Sequence, residues 1–165
     1  MKLKPDEMEF FRACILPLLE YEPVCRMDSY VQHGNTTCLK HSLAVAYYSY
    51  TIGKRLRLKC DWAALVRGAM LHDFFLYDWH VRDKSRRWHG FTHPKAALSN
   101  ANRHFIINRR EREIILKHMW PLTPSFPRCR EAALVCLVDK VCSVAEIFES
   151  IVSRFYRNLP ALIEG

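Results

Sequence analysis

Apolar positions recur at helical spacing along almost the whole chain. Asp6 is placed to cap a first helix carrying Phe10, Ile15 and Leu18, which Pro17 ends or kinks. Residues 22–36 lose the periodicity and read as a loop closing in His33-Gly34-Asn35-Thr36. A second helix is predicted from Thr37 to near Leu58, with His41, Val45, Tyr48 and Ile52 along one stripe. Asp61 is a suitable cap for a third, through Ala64, Leu65, Gly68, Ala69 and His72. The periodicity fails again from Phe74 to Thr92. Pro94 then suits the first position of a fourth helix that ends near Phe105. Asn108 with Glu111 forms a capping box for a fifth, ending near His118. After the Pro-rich stretch Pro121 to Pro127, a long sixth helix covers Arg128 to Ser150, and a short terminal helix follows. The pattern predicts an all-α fold, a bundle of about six to seven helices. It forms one domain over 1–165: an N-terminal helix and loop (1–35), a helical core (36–150) and a C-terminal helix or tail (151–165).

At 165 residues a single core suffices without staples. Apolar residues at 50% and charged residues at 25% exclude global disorder, and 5 glycines argue against an all-β fold. The longest apolar run, Ala132 to Val138, is far too short for a bilayer span, so no membrane partner is expected. The opening MKLKPDEMEFF is acidic where a signal peptide would be apolar. Seven cysteines without a CxxC pair read as reduced thiols, mostly in the core of a cytoplasmic protein. The net charge of +8 is uneven. Residues 29–110 hold 14 Lys/Arg against 4 Asp/Glu, and the remainder holds 11 against 13. A basic middle admits nucleic acid, an anionic surface or a small phosphorylated substrate, or is simply a solvated face.

Polar groups occupy positions where the periodicity asks for core. The sixth helix reads Ala132, Val135/Cys136, Asp139, Cys142, Glu146 along its stripe, so Asp139 falls in the most hydrophobic segment of the chain. A bare carboxylate there would cost several kcal/mol or more and needs a cation, donors or a raised pKa. An arginine from another helix would serve as well as a metal. His41 repeats the anomaly on the second helix, and His72-Asp73 closes the run Ala69-Met70-Leu71. Three segments thus turn imidazole or carboxylate towards one core, a donor set for iron, manganese, cobalt, nickel or zinc. The absence of a nearby cysteine pair argues against structural zinc. Cys136 and Cys142 flank Asp139 and either line that pocket or fill the core.

The order His41, His72-Asp73, Asp139 resembles the HD-domain superfamily of metal-dependent phosphohydrolases over residues 36–150. His93, in Phe91-Thr92-His93-Pro94, and His118, in Leu116-Lys117-His118-Met119, extend it to the two-metal pattern H…HD…H…H…D. That pattern is similar to HD-type diadenosine tetraphosphate hydrolases and HD-GYP cyclic-dinucleotide phosphodiesterases. The resemblance implies an HD-type bundle, a first metal on His41, His72, Asp73 and Asp139, and a second completed by His93 and His118. Asp73 would bridge them and act with metal-activated water. His89 and His104 compete with His93 as the ligand, and His118 also suits a cation at a helix C-terminus. The chain departs from HD-GYP proteins: Phe74-Phe75-Leu76 follows the dipeptide instead of a Gly-Lys turn, and no GYP string is present.

Between Trp79 and His89 four Lys/Arg lie within six positions, flanked by tryptophan and histidine. Arg82, Lys84, Arg86, Arg87, Trp88 and His89 are the candidates to clamp phosphate and stack a base. Lys140 and His33 are candidate catalytic groups beside Asp73. Arg109, Arg110, Glu111, Arg112 and Glu113 read as solvated surface. The expected function is hydrolysis of a small phosphate ester, a nucleotide or dinucleotide, with one or two divalent transition metals. The alternatives are an HD-type di-iron oxygenase and a non-catalytic basic module that binds nucleic acid. A homodimer is compatible with the aromatic residues left outside the core pattern.

Overall fold

Side chains beside the helix ends set where the helices begin. Thr37 accepts the Lys40 N–H at 3.3 Å, Asp61 accepts that of Ala64 at 3.1 Å, and Asn108 accepts those of Arg110 and Glu111 at 2.9 Å. Each satisfies orphan donors of a first turn. Glu111 returns the bond by accepting the Asn108 N–H, completing the capping box. These caps start α3 (Cys38–Arg55), α4 (Trp62–Leu71) and α6 (Arg109–Lys117), close to the boundaries predicted from the sequence. The structure is a computed structural model that describes residues 2–33, 36–79 and 88–148. Its described residues form seven α-helices and one short antiparallel hairpin, so the protein is all-α. None of these helices is long and apolar enough to cross a membrane.

The remaining elements differ from expectation in instructive ways. α1 runs Pro5–Leu19, and its cap is Lys4 rather than Asp6, because Pro5 takes the first helical position. Phe11, not Phe10, is buried with Ile15 and Leu18, and Pro17 sits within the last turn. The stretch expected as loop contains α2 (Glu22–Cys25), a 3-10 turn (Arg26–Ser29), and strands β1 (Val31–His33) and β2 (Thr36–Thr37). α5 begins at His89, so Pro94 lies inside the helix instead of opening it. α7 spans Arg130–Ile147, and the terminal helix expected beyond it lies outside the described residues.

α3 packs along α4 and α7, α4 packs along α6, and α1 covers α4. The core they share includes Phe11, Val45, Tyr47, Leu65, Met70, Ile114 and Val135. Glu111, expected on solvated surface, is buried because Arg67 on α4 donates to it at 2.7 Å. Cys38, Cys136 and Cys142 are buried, but Cys14, Cys60 and Cys129 are only half-buried and Cys25 is exposed; all seven are free thiols.

Close approach of α4 and α6 depends on Gly68. A Cβ there would lie 2.6 Å from Ile114 Cδ1, 3.2 Å from Ile114 Cβ and 3.3 Å from Glu111 Cα. The last two cannot yield without moving α6. Gly68→Ala is expected to destabilise by about 1–3 kcal/mol despite its better helix propensity, read as a lower urea midpoint. Adding Ile114→Val, which removes Cδ1, should restore only part of the loss.

Candidate metal centre

Helix termini deliver the histidines. His72 is the C-cap of α4 and His118 the C-cap of α6, where the last carbonyls have no helical partner. Each ring satisfies one of them. His72 Nδ1 donates to the Ala69 carbonyl at 2.7 Å, and His118 Nδ1 to that of Ile115 at 2.9 Å. On α5, His93 Nδ1 donates to the His89 carbonyl at 2.9 Å. A carbonyl only accepts, so Nδ1 carries the proton in all three rings and Nε2 is turned to the interior. His41, in the first turns of α3, follows the same rule with a carboxylate. Its Nδ1 lies 2.9 and 3.0 Å from the two oxygens of Glu146 on α7.

The four Nε2 atoms converge on Asp73 and Asp139. Asp73 Oδ2 faces His72 and His41 at 3.3 and 3.8 Å, and Oδ1 faces His93 and His118 at 3.2 and 3.5 Å. Asp139 Oδ1 approaches His41 Nε2 at 3.0 Å and His72 Nε2 at 3.5 Å. All of these residues are buried. They form two groups that can hold a metal ion, His41–His72–Asp73 and Asp73–His93–His118, with Asp73 common to both.

The donor set fits a metal on internal grounds. Among the described residues, His72 Nε2 and Asp73 Oδ1 have no hydrogen-bond partner. His93 Nε2 and His118 Nε2 lie 2.8 Å apart with both Nδ1 protons already engaged. Ring nitrogens this close to one another and to carboxylate oxygens need a proton or a metal ion between them, and imidazole with carboxylate suits a borderline divalent ion. Glu146 orients His41 from behind, as outer carboxylates do for ligating histidines.

Protonation shows how strongly the centre favours positive charge. Burial alone would lower His41, but bonds to Asp139 and Glu146 outweigh it and hold the ring up at about 9. Burial opposes ionisation of His72 too, and the Asp73 and Asp139 charges raise it well above the usual histidine range. Burial acts against the carboxylates of Asp73 and Asp139, yet the neighbouring imidazoles hold both well below the ordinary carboxylate range. His118 goes the other way: burial and the His72 charge push it down to about 3. It caps a helix C-terminus as expected, but as a neutral ring.

The other sequence candidates fall in different places. His89 stacks on His93 with ring centres 4.6 Å apart and on Trp79 at 5.0 Å, and its Nδ1 is hydrogen-bonded to the Tyr77 hydroxyl. It is a neighbour of the centre and belongs to neither group. His104 is bonded to the Tyr21 hydroxyl instead. Trp88 is exposed at the start of α5, packed edge-on to Phe91. Arg82, Lys84, Arg86 and Arg87, and the side chain of His33, lie outside the described residues. Lys140 Nζ donates to the carbonyls of His118 at 2.7 Å and Cys136 at 3.2 Å, and stands 4.0 Å from Asp139 Oδ2. In this arrangement it ties the end of α6 to α7. Cys136 donates to the Trp120 carbonyl and Cys142 packs in the core.

Two contributors were not singled out from the sequence. Glu146 was visible on the α7 stripe, but its role depends on a meeting with α3. Gln32 on β1 donates to Asp73 Oδ2 at 2.6 Å and accepts from the Cys38 thiol at 3.2 Å. Burial, reinforced by the Asp73 charge, pushes that thiol up, so it stays protonated and fixes the amide. Comparisons with protein-family models, curated proteins and solved structures returned no match to this chain.

The shifts set a pH signature for chelator-treated protein. A raised His41 contributes stability that is complete below about 6.5 and is lost as pH rises through about 9. A depressed His118 contributes stability that is present above about 6.5 and is lost as pH falls towards about 3. The urea midpoint should therefore be highest near neutrality and fall on both sides. Glu146→Gln, which weakens the hold on the His41 proton, should flatten the alkaline limb. Metal affinity should instead rise across the same alkaline interval, because ligation displaces that proton.

Proposed function

We propose that this protein is a metal-dependent phosphohydrolase of the HD type, acting on a small phosphate ester such as a nucleotide or dinucleotide. The observation that carries the reading is the sharing of Asp73: one oxygen faces His41 and His72, the other faces His93 and His118. A carboxylate common to two donor groups is what a bridged metal pair requires. His41, His72, Asp73 and Asp139 would hold the first ion, and Asp73, His93 and His118 the second. Bound there, divalent ions would polarise a phosphoryl oxygen and supply activated water near neutral pH.

The chain's own residues prepare the site. Glu146 and three main-chain carbonyls hold each ring with its Nε2 directed inward, so little reorientation of the rings accompanies loading. Gln32 holds Asp73 in the orientation that divides its oxygens between the two groups. The basic residues Arg82, Lys84, Arg86 and Arg87 follow Asp73 in the sequence and supply phosphate affinity in this reading. The reading includes the cytoplasm, a compartment that keeps seven thiols reduced.

Metal content and phosphate release should be measured on protein purified without chelator. Wild type should carry about two equivalents of transition metal. Asp73→Asn should lose both and reduce hydrolysis of a nucleotide panel to background, whereas His118→Ala should keep the first ion. Full hydrolysis by metal-free protein would overturn the reading. Substrate-dependent oxygen uptake without phosphate release would replace it with oxidative chemistry.

A further inference from the structure

α7 is oriented unlike an ordinary surface helix. From Ala132 onward its acidic residues, Asp139 and Glu146, are buried, while the exposed positions are Ala133, Leu137, Val141, Val144, Ile147 and the C-cap Phe148. Lys140, the only cation in that stretch, is half-buried and donates to two main-chain carbonyls. Surface helices place charge outward and apolar residues inward; a helix apolar on its outer face as well is one that something covers. Leu137, Val141, Val144 and Phe148 follow one another at intervals of four, three and four residues, the spacing of a two-helix seam.

We infer that this face is a homodimer interface in which α7 of one copy packs against α7 of a second. The large side chains of the stripe are each half or more exposed. Together they present on the order of 500 Å² per copy, at the upper end of what monomers leave exposed. Pairing two such faces with their rims buries roughly 1,000 Å² or more, where specific interfaces begin. The stripe carries no charge for a partner to match, so the occupant must be apolar with the same spacing. A second copy meets that condition by identity, and a two-fold axis across the stripe makes it self-complementary. The opposite face of α7 holds Asp139 and Glu146, so association at the stripe braces the helix that carries both of these carboxylates to His41.

Sedimentation and light scattering of the full chain at micromolar concentrations test this. Wild type should have twice the monomer mass. Val144→Glu, which sets two carboxylates against each other in the seam, should weaken association about thirtyfold or more. Ile106→Glu, at an exposed apolar position outside α7, should leave the dimer intact. Circular dichroism and melting establish that the variants fold, and Leu137→Lys serves if Val144→Glu does not. A wild type that is monomeric throughout, with the stripe left to another occupant, overturns the inference. So does a dimer that folded α7 variants leave unchanged.

Discussion

Asp73 and Asp139 lie in the interior of a helical bundle, where a carboxylate without a cation or a full set of donors costs several kcal/mol or more. That cost organises the molecule. Five helices, α3 to α7, bring a titratable side chain to the same point: His41 from α3, His72 at the end of α4, His93 from α5, His118 at the end of α6, and Asp139 with Glu146 from α7. Removing any imidazole leaves a carboxylate oxygen facing lone pairs or apolar surface. The raised His41 and His72 and the depressed carboxylates are one balance seen from its two sides, positive charge drawn to a place where the fold has fixed negative charge.

The bundle and the centre use the same atoms. A helix C-terminus must satisfy its last carbonyls, and here the rings of His72 and His118 do so while their other nitrogens point inward. Helix termination and ligand orientation are therefore a single requirement at two positions. The two C-caps meet because α4 and α6 approach closely at Gly68, where no side chain larger than hydrogen fits without moving Ile114 and the α6 backbone. The Arg67–Glu111 pair fixes the same contact, and Glu111 also begins α6 through its capping box. Small residues and caps far from the carboxylates thus determine the distances among the donors.

The sequence made the long elements legible because their signals are local. Thr37, Asp61 and Asn108 act on their own first turns, and His41, Asp139 and Glu146 break an apolar stripe long enough to establish a period. The hairpin escaped notice because three and two residues cannot display alternation, and with it went Gln32, buried beside an exposed Val31. Pro94 misled because proline is commonest at a helix start, whereas α5 accepts it in its second turn. The pairing of Glu146 with His41 spans 105 residues and could be read only once α3 and α7 were seen side by side. Glu111 looked solvated among arginines because its partner, Arg67, is 44 residues away.

α7 shows where periodicity stops being informative. Inward it presents Leu134, Val135, Val138 and Cys142; outward it presents Leu137, Val141, Val144 and Ile147. The two faces are nearly equal in apolar content, so burial energy scarcely distinguishes one rotation of the helix from the other. A helix turned half-way round would bury the second set and place Asp139 and Glu146 in water, as the ordinary rule for surface helices prefers. The observed rotation is set by the bonds of Asp139 and Glu146 to His41, at 3.0 and 2.9 Å. Electrostatics orients this helix, and hydrophobicity accommodates the result. An apolar outer face is then the direct consequence of a charged inner one, and both follow from one choice of helical rotation.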